Sequence, residues 1–200
     1  MYLDDTLVAV DKPAGLLSVP GRGDDKQDCA AARVQAWHAD ARIVHRLDMA
    51  TSGVLVMARG AGAQRRLGDA FARREVSKRY VAVVQGRMPA AHGEIDLPLA
   101  ADWPNRPRQK VDAVHGKASL TRYRVLAVDE SGRTSRVELQ PVTGRSHQLR
   151  VHLHAIGHPI VGDTLYGGPQ APRLMLHACE LTVPHPATGD TFRMRCAVPF

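Results

Sequence analysis

Short apolar runs, broken by glycine, proline and charged clusters, set the pattern of this chain. Residues 6–11 predict a strand stopped by Pro13 and Gly15. The alanine-rich stretch 28–39, with Val34 and Trp37 three apart, predicts a helix. Residues 54–58 are continuously apolar and predict a buried strand. Next, Ala63, Leu67, Ala70 and Phe71 recur at i, i+4, i+7 and i+8, the stripe of an amphipathic helix, with Arg65, Arg66, Asp69 and Arg73 on its other faces. "KRYVAVVQG" predicts a strand that is apolar on both sides, Tyr80, Ala82 and Val84 sharing one face. "LPLAADWPNRPRQKV" holds three prolines and predicts an irregular surface loop.

Downstream, residues 119–142 predict two antiparallel strands about a Ser131–Gly132 turn. "GRSHQLRVHLHAIG" predicts a helix ended by Gly157. Two more strands follow, joined by "HPATGD". Strands outnumber helices and neighbours form hairpins, which predicts an α+β fold with a mostly antiparallel sheet and flanking helices. A chain of 200 residues predicts one domain over 1–200, large enough to fold without disulfides. No repeat, low-complexity segment or linker interrupts it.

The charge balance adds a partner. Net charge is +7 and the pI about 9.8, which points to a polyanion such as RNA. Aromatic residues make up 4%, too few for a broad base-stacking sheet. Cys29, Cys179 and Cys196 are odd in number and contain no CxxC pair, which favours a reducing compartment over a disulfide framework or zinc knuckle. Neither a secretory leader nor a run of about 20 apolar residues is present, so the expected location is the cytoplasm, without membrane association.

Two stretches carry candidate chemistry. In "VHRLDMATSGVLVMAR", Asp48 lies among His45, Arg46, Thr51 and Ser52 just before a strand. A carboxylate there is either a structural turn residue or a reactive group, and in both cases needs pairing. The kinase pattern lacks its later parts, and no Gly-x-Ser-x-Gly elbow supports a hydrolase. In "TGRSHQLRVHLHAIGHPIVGD", His147, Arg150 and His154 share one helical face while Leu149, Leu153 and Ile156 share another. That polar face suits an active carboxylate or a phosphate, or is simply solvated. A metal site would need HExxH or a carboxylate at helical spacing, and neither occurs, so no metal is expected. Tyr80 reads as a core tyrosine, with Ala82 leaving room for a flat ring.

The three segments "HRLDMATSGVLVMAR", "KRYVAVVQG" and "TGRSHQLRVHLHAIGHPIVGDTLYG" stand in one order with "DDTLVAVDKPAGLLSVPGRG" before and "RLMLHACELTVPHP" after. Together they resemble the RluA family of RNA pseudouridine synthases, and "DLPLAADWPNRPRQKV" resembles that of the RluA branch. The resemblance implies a long bent antiparallel sheet with the active cleft across its middle, and a single catalytic domain without the N-terminal S4-type RNA-binding domain of other branches. It implies an isomerase that converts uridine to pseudouridine in 23S rRNA and in the anticodon stem-loop of tRNAs, with no cofactor and no obligate protein partner.

In the same way the resemblance makes Asp48 the essential aspartate and Arg150 its pairing arginine. Tyr80 becomes the tyrosine packed on the target base, and Arg46 the residue that fills the gap left when that base flips out. RNA contacts are expected of Arg46, Arg106, Arg108, Lys110, Arg145 and His147. Whether Asp48 attacks the sugar, abstracts its proton or adds to the ring stays open. The rivals are a non-catalytic RNA-binding or chaperone module on the same fold, and a metal-dependent hydrolase using the histidines.

Overall fold

The computed structural model describes residues 2–200. Along the chain run β1 (Tyr2–Leu3), β2 (Leu7–Lys12), α1 (Ala30–Gln35), β3 (Ala41–Ile43), β4 (Ser52–Arg59), α2 (Gly60–Arg73), β5 (Ser77–Gln85), β6 (His92–Asp96), β7 (Leu99–Ala101), β8 (Gln109–Val111), β9 (Leu120–Val128), β10 (Thr134–Pro141), α3 (Gln148–Ala155), β11 (Leu176–Pro184) and β12 (Thr191–Arg195). This is the expected α+β class, and each strand pair described below is antiparallel. The chain forms two compact units. One holds the residues up to Lys78 with Ala178–Pro199; the other holds Arg79–His177 with Phe200. The chain passes between them within β5 and β11.

In the first unit β4 is the organising strand. Its run from Ser52 to Ala58 is buried throughout, as the unbroken apolar sequence predicts. Val54, Val56 and Ala58 join Leu7, Ala9, Leu67, Ala70, Leu181 and Val183 in one core, while Met57 joins Val8, Cys29, Ala31 and Ala41 in another. β2 pairs with β4 from Leu7↔Ala58 to Lys12↔Gly53. Only glycine suits that last position: Gly53 has φ +118°, and a Cβ there would meet the Ala178 carbonyl oxygen at 2.3 Å. α2 lays its predicted stripe of Ala63, Leu67 and Ala70 into the first core. α1 is shorter than the 28–39 reading, because the helix stops at Gln35.

The second unit contains β6, β9, β10 and part of β5 as neighbouring antiparallel strands. Tyr80 stands opposite Leu139 on β10, and β9 and β10 form the predicted hairpin. α3 packs on β8, β9 and β10. The 97–111 region corrects the irregular-loop reading: β7 and β8 pair from Leu99↔Val111 to Ala101↔Gln109 around a 3-10 turn at Trp103–Asn105. The prolines fall in the turn, at 104 and 107, where no ladder hydrogen bond is lost.

Close to the candidate stretch, His45 stacks on Phe71 with ring centroids 4.9 Å apart, and its Nε2 accepts the Val56 amide proton at 3.0 Å. That bond requires a neutral ring. Burial, helped by the charge of Lys78, holds the imidazole pKa down to about 3. The unfolded chain therefore binds an extra proton between about pH 6.5 and 3. Stability from this site is complete above that window and is lost as pH falls through it. His45→Gln keeps an acceptor for Val56 but does not titrate. Urea unfolding from pH 7 to pH 4 is expected to show a pH slope shallower than the parent's, by at most about 1.4 kcal/mol per pH unit.

Candidate active site

Asp48 sits half-buried in the segment between β3 and β4. The backbone on either side of it is fixed by groups from the preceding loop. Ser18, buried, binds Leu47 reciprocally: its hydroxyl donates to the Leu47 carbonyl at 2.8 Å and accepts the Leu47 amide at 3.0 Å. The Met49 carbonyl accepts from the Gly15 amide at 2.8 Å and from Lys12 Nζ at 3.2 Å. Lys12 is 1% exposed and also donates to the carbonyls of Pro13 and Leu16. A buried ammonium is costly unless its donors are satisfied. Here three carbonyls take them, so the loop and the Asp48 segment are held in one arrangement. The Thr51 amide closes the turn on the Asp48 carbonyl at 3.0 Å.

Periodicity shows this "DKPAG" region only as a broken strand, and neither it nor the family resemblance singles out Lys12 or Ser18. The available signal was a lysine at the same strand parity as Val8 and Val10. Arg46 is exposed two residues before Asp48.

The second stretch is built around Arg150, in the second unit. The guanidinium is 4% exposed and forks onto Asp163, Nε to Oδ2 at 2.7 Å and Nη2 to Oδ1 at 2.8 Å. Asp163 Oδ1 also accepts the amides of Leu165 and Tyr166. The solvated-face reading of Arg150 is therefore overturned. Asp163 was missed, although "VGDTLYG" carries it thirteen residues on.

Tyr166, also buried, faces both Arg150 and Arg108, whose Cζ atoms lie 5.1 and 5.5 Å from its ring centroid. Its hydroxyl accepts the Gln109 amide at 2.8 Å and lies 2.8 Å from His147 Nδ1. His147 is not within the helix as predicted: it caps α3 from the left-handed region, φ +53°. The phase of the predicted face fails there because helical geometry begins only at Gln148.

Gln148 explains that start. Its Oε1 accepts from Thr143 Oγ1 and the Arg145 amide, and its Nε2 donates to the Leu120 carbonyl and Thr121 Oγ1. Thr121 in turn donates to His152 Nδ1, and His152 Nε2 donates to the Leu97 carbonyl at 3.0 Å. Burial lowers the His152 pKa below the ordinary histidine value, against the raising effect of the Leu97 carbonyl. With both nitrogens in hydrogen bonds, His152 is no metal ligand, which weakens the hydrolase reading.

The remaining candidates are dispersed. Tyr80 is half-buried on β5. Arg106 is exposed and stacked on Trp103, Lys110 pairs with Asp112 at 3.4 Å, and Arg145 reaches the Ala118 carbonyl. The geometry thus groups Arg108, His147 and Arg150 around Tyr166, and fixes Asp48 with Arg46 on the clamped segment of the other unit.

The chain as a whole has relatives among known proteins. Residues 6–155 match the family model described as RNA pseudouridylate synthase, and the chain belongs to that family. It is 50% identical over 204 residues to the dual-specificity RNA pseudouridine synthase RluA of Escherichia coli, covering 100% of this chain and 93% of that protein. The namesake enzyme of Yersinia pestis is 49% identical, with 98% of its length covered. Among solved structures, human RNA pseudouridylate synthase domain containing 1 superposes with a TM-score of 0.83 at 29% identity, covering 100% of this chain and 82% of that one. The protein is an RNA pseudouridine synthase, and hence an isomerase. Among the described residues, no helix is long and apolar enough to cross a membrane.

The fork gives a stability test. Arg150→Ala leaves the Asp163 carboxylate, whose side chain is fully buried, without its cation. Urea unfolding should show a loss of about 3–5 kcal/mol. Arg150→Lys should lose less, because a point charge remains but the two parallel bonds do not.

Proposed function

We propose that this protein converts particular uridines to pseudouridine in both ribosomal and transfer RNA, with Asp48 as the catalytic carboxylate. The observation that carries the assignment is the backbone clamp on Asp48, at Leu47 and Met49, in a half-buried segment. Evolving positive charge on the ribose and negative charge on the departing uracil calls for one preorganised carboxylate and cationic surroundings. Full-length identity to named dual-specificity enzymes supports the two RNA classes, a 23S rRNA hairpin and tRNA anticodon stem-loops among them.

In this reading the single domain of residues 1–200 supplies Tyr80 to pack on the target base and Arg150 to provide the cation. Arg46 fills the stack when the uridine flips out, since a stacked base cannot reach a recessed acid. Arg106, Arg108, Lys110, Arg145 and His147 contribute the RNA contacts. Arg108 and His147 also support Tyr166, so their substitution is expected to affect the fold as well as binding. The reaction itself needs no redox change. The glycosidic C1′–N1 bond breaks, the uracil turns, C5 bonds to C1′, the C5 proton leaves to solvent and N1 takes up a proton in its place. Cytoplasmic residence follows from these RNA substrates and fits the three free thiols.

Asp48→Asn tests the assignment. Pseudouridine formation on an anticodon stem-loop should fall below detection, while RNA affinity stays within roughly tenfold, because phosphate contacts supply most of it. Turnover at the parental rate would remove Asp48 from the mechanism. Parental affinity should also fall steeply with salt. Neutralising about five phosphates gives a log–log slope near −3.5 to −4.5, and a flat titration would contradict phosphate-led binding.

A further inference from the structure

Trp37, just beyond α1, is 86% exposed, and no arginine or lysine among the described residues lies on its ring. Trp103 differs. The Arg106 guanidinium carbon lies 3.2 Å from its ring centroid, yet the residue remains 68% exposed. One face of the indole is therefore covered by a cation, and the exposure that is left belongs to the opposite face and the edges.

The turn that displays this pair is stiff. The Asp102 amide donates to the Arg108 carbonyl, the Asn105 amide to the Asp102 carbonyl, and the Arg108 amide to the Asn105 carbonyl, all at 3.0–3.1 Å. Asn105 Nδ2 engages the Asp102 carboxylate at 2.9 Å. Asp102 and Asp112 are the nearby acids. Asp112 is taken by Lys110 and by the amides of Val114 and His115. At the base of the turn, the Gln109 amide is tied to Tyr166, which also holds His147 and faces Arg150. The platform is thus anchored to the start of α3.

We infer that Trp103, backed by Arg106, is a stacking platform for an unpaired nucleobase of the RNA substrate, distinct from the target uridine. This rests on the proposed action on RNA hairpins. Their loops present unstacked bases, and an aromatic ring accepts any of them on its π face. A guanidinium behind the ring adds positive charge for the flanking phosphate. Because the turn is already ordered, little entropy is lost on binding. Through Gln109 and Tyr166, an RNA seated on the platform is held at a fixed place relative to α3.

The protein has two tryptophans, so a Trp37→Phe background makes fluorescence report on Trp103 alone. Titration with an anticodon stem-loop is expected to quench that signal. Trp103→Ala should weaken binding roughly 5- to 100-fold. The loss should fall on KM, not kcat, and the log–log salt slope should stay parental, since no phosphate contact is removed. Trp103→Phe should recover most of the affinity. Circular dichroism should be unchanged, because the indole is exposed. An unquenched signal, or Trp103→Ala binding RNA as the parent does, would overturn the platform and leave the pair as a surface for a protein partner. If the parent modifies RNA in that case, only the platform fails. If the parent neither binds nor modifies RNA, the substrate assignment fails and the platform with it.

Discussion

The fork between Arg150 and Asp163 is the constraint on which the second unit's functional side depends. Two charges are removed from water, and their attraction roughly offsets that desolvation, so the pair contributes little net stability. Its importance is geometric. Asp163 spends one oxygen on the amides of Leu165 and Tyr166 as well as on Arg150, and so joins α3 to the loop that carries Tyr166. Tyr166 then supports the β7–β8 turn through Gln109 and the helix cap through His147. Loosening the fork would therefore disturb the β7–β8 turn and the start of α3 together.

The first unit solves a different problem with neutral backbone groups. Lys12 and Ser18 hold the carbonyls and amide of the residues on either side of Asp48, at distances of 2.8–3.2 Å, and so fix the backbone from which its side chain projects. Placing the lysine charge on three carbonyls satisfies its donors in a site with 1% exposure. Gly53 completes the arrangement, since the turn from the acid into β4 requires a backbone that no side-chain-bearing residue adopts comfortably.

Periodicity made the strands and α2 legible, because β4, β5 and α2 bury their apolar positions where alternation and the 3.6-residue repeat place them. It failed where local bonds decide. The β7–β8 hairpin carries two prolines in its turn, Pro104 and Pro107, and its two strands are only three residues each, too short for a pattern. For Arg150 the pattern left a carboxylate, a phosphate and solvent all open, because its partner, Asp163, lies beyond the helix and pairing between segments leaves no periodic trace. His147 fell outside the helix because a left-handed cap is set by Gln148 and Tyr166, not by its own propensity. Asp48 was legible as a candidate from its surroundings, whereas the clamp around it was not, since Lys12 and Ser18 act on backbone atoms that any sequence supplies.

On the role proposed for Asp48, the chemistry is that of a uridine drawn out of a structured RNA, held beside that acid, and rejoined to its ribose through C5. The most direct measurement uses tRNA and rRNA transcribed with tritium at C5 of uridine and incubated with the purified protein in the presence of a metal chelator. The expected result is tritium released to water in proportion to pseudouridine formed, with RNA length and mass otherwise unchanged. Bound RNA that releases no tritium, or release accompanied by free uracil or strand cleavage, would contradict the account.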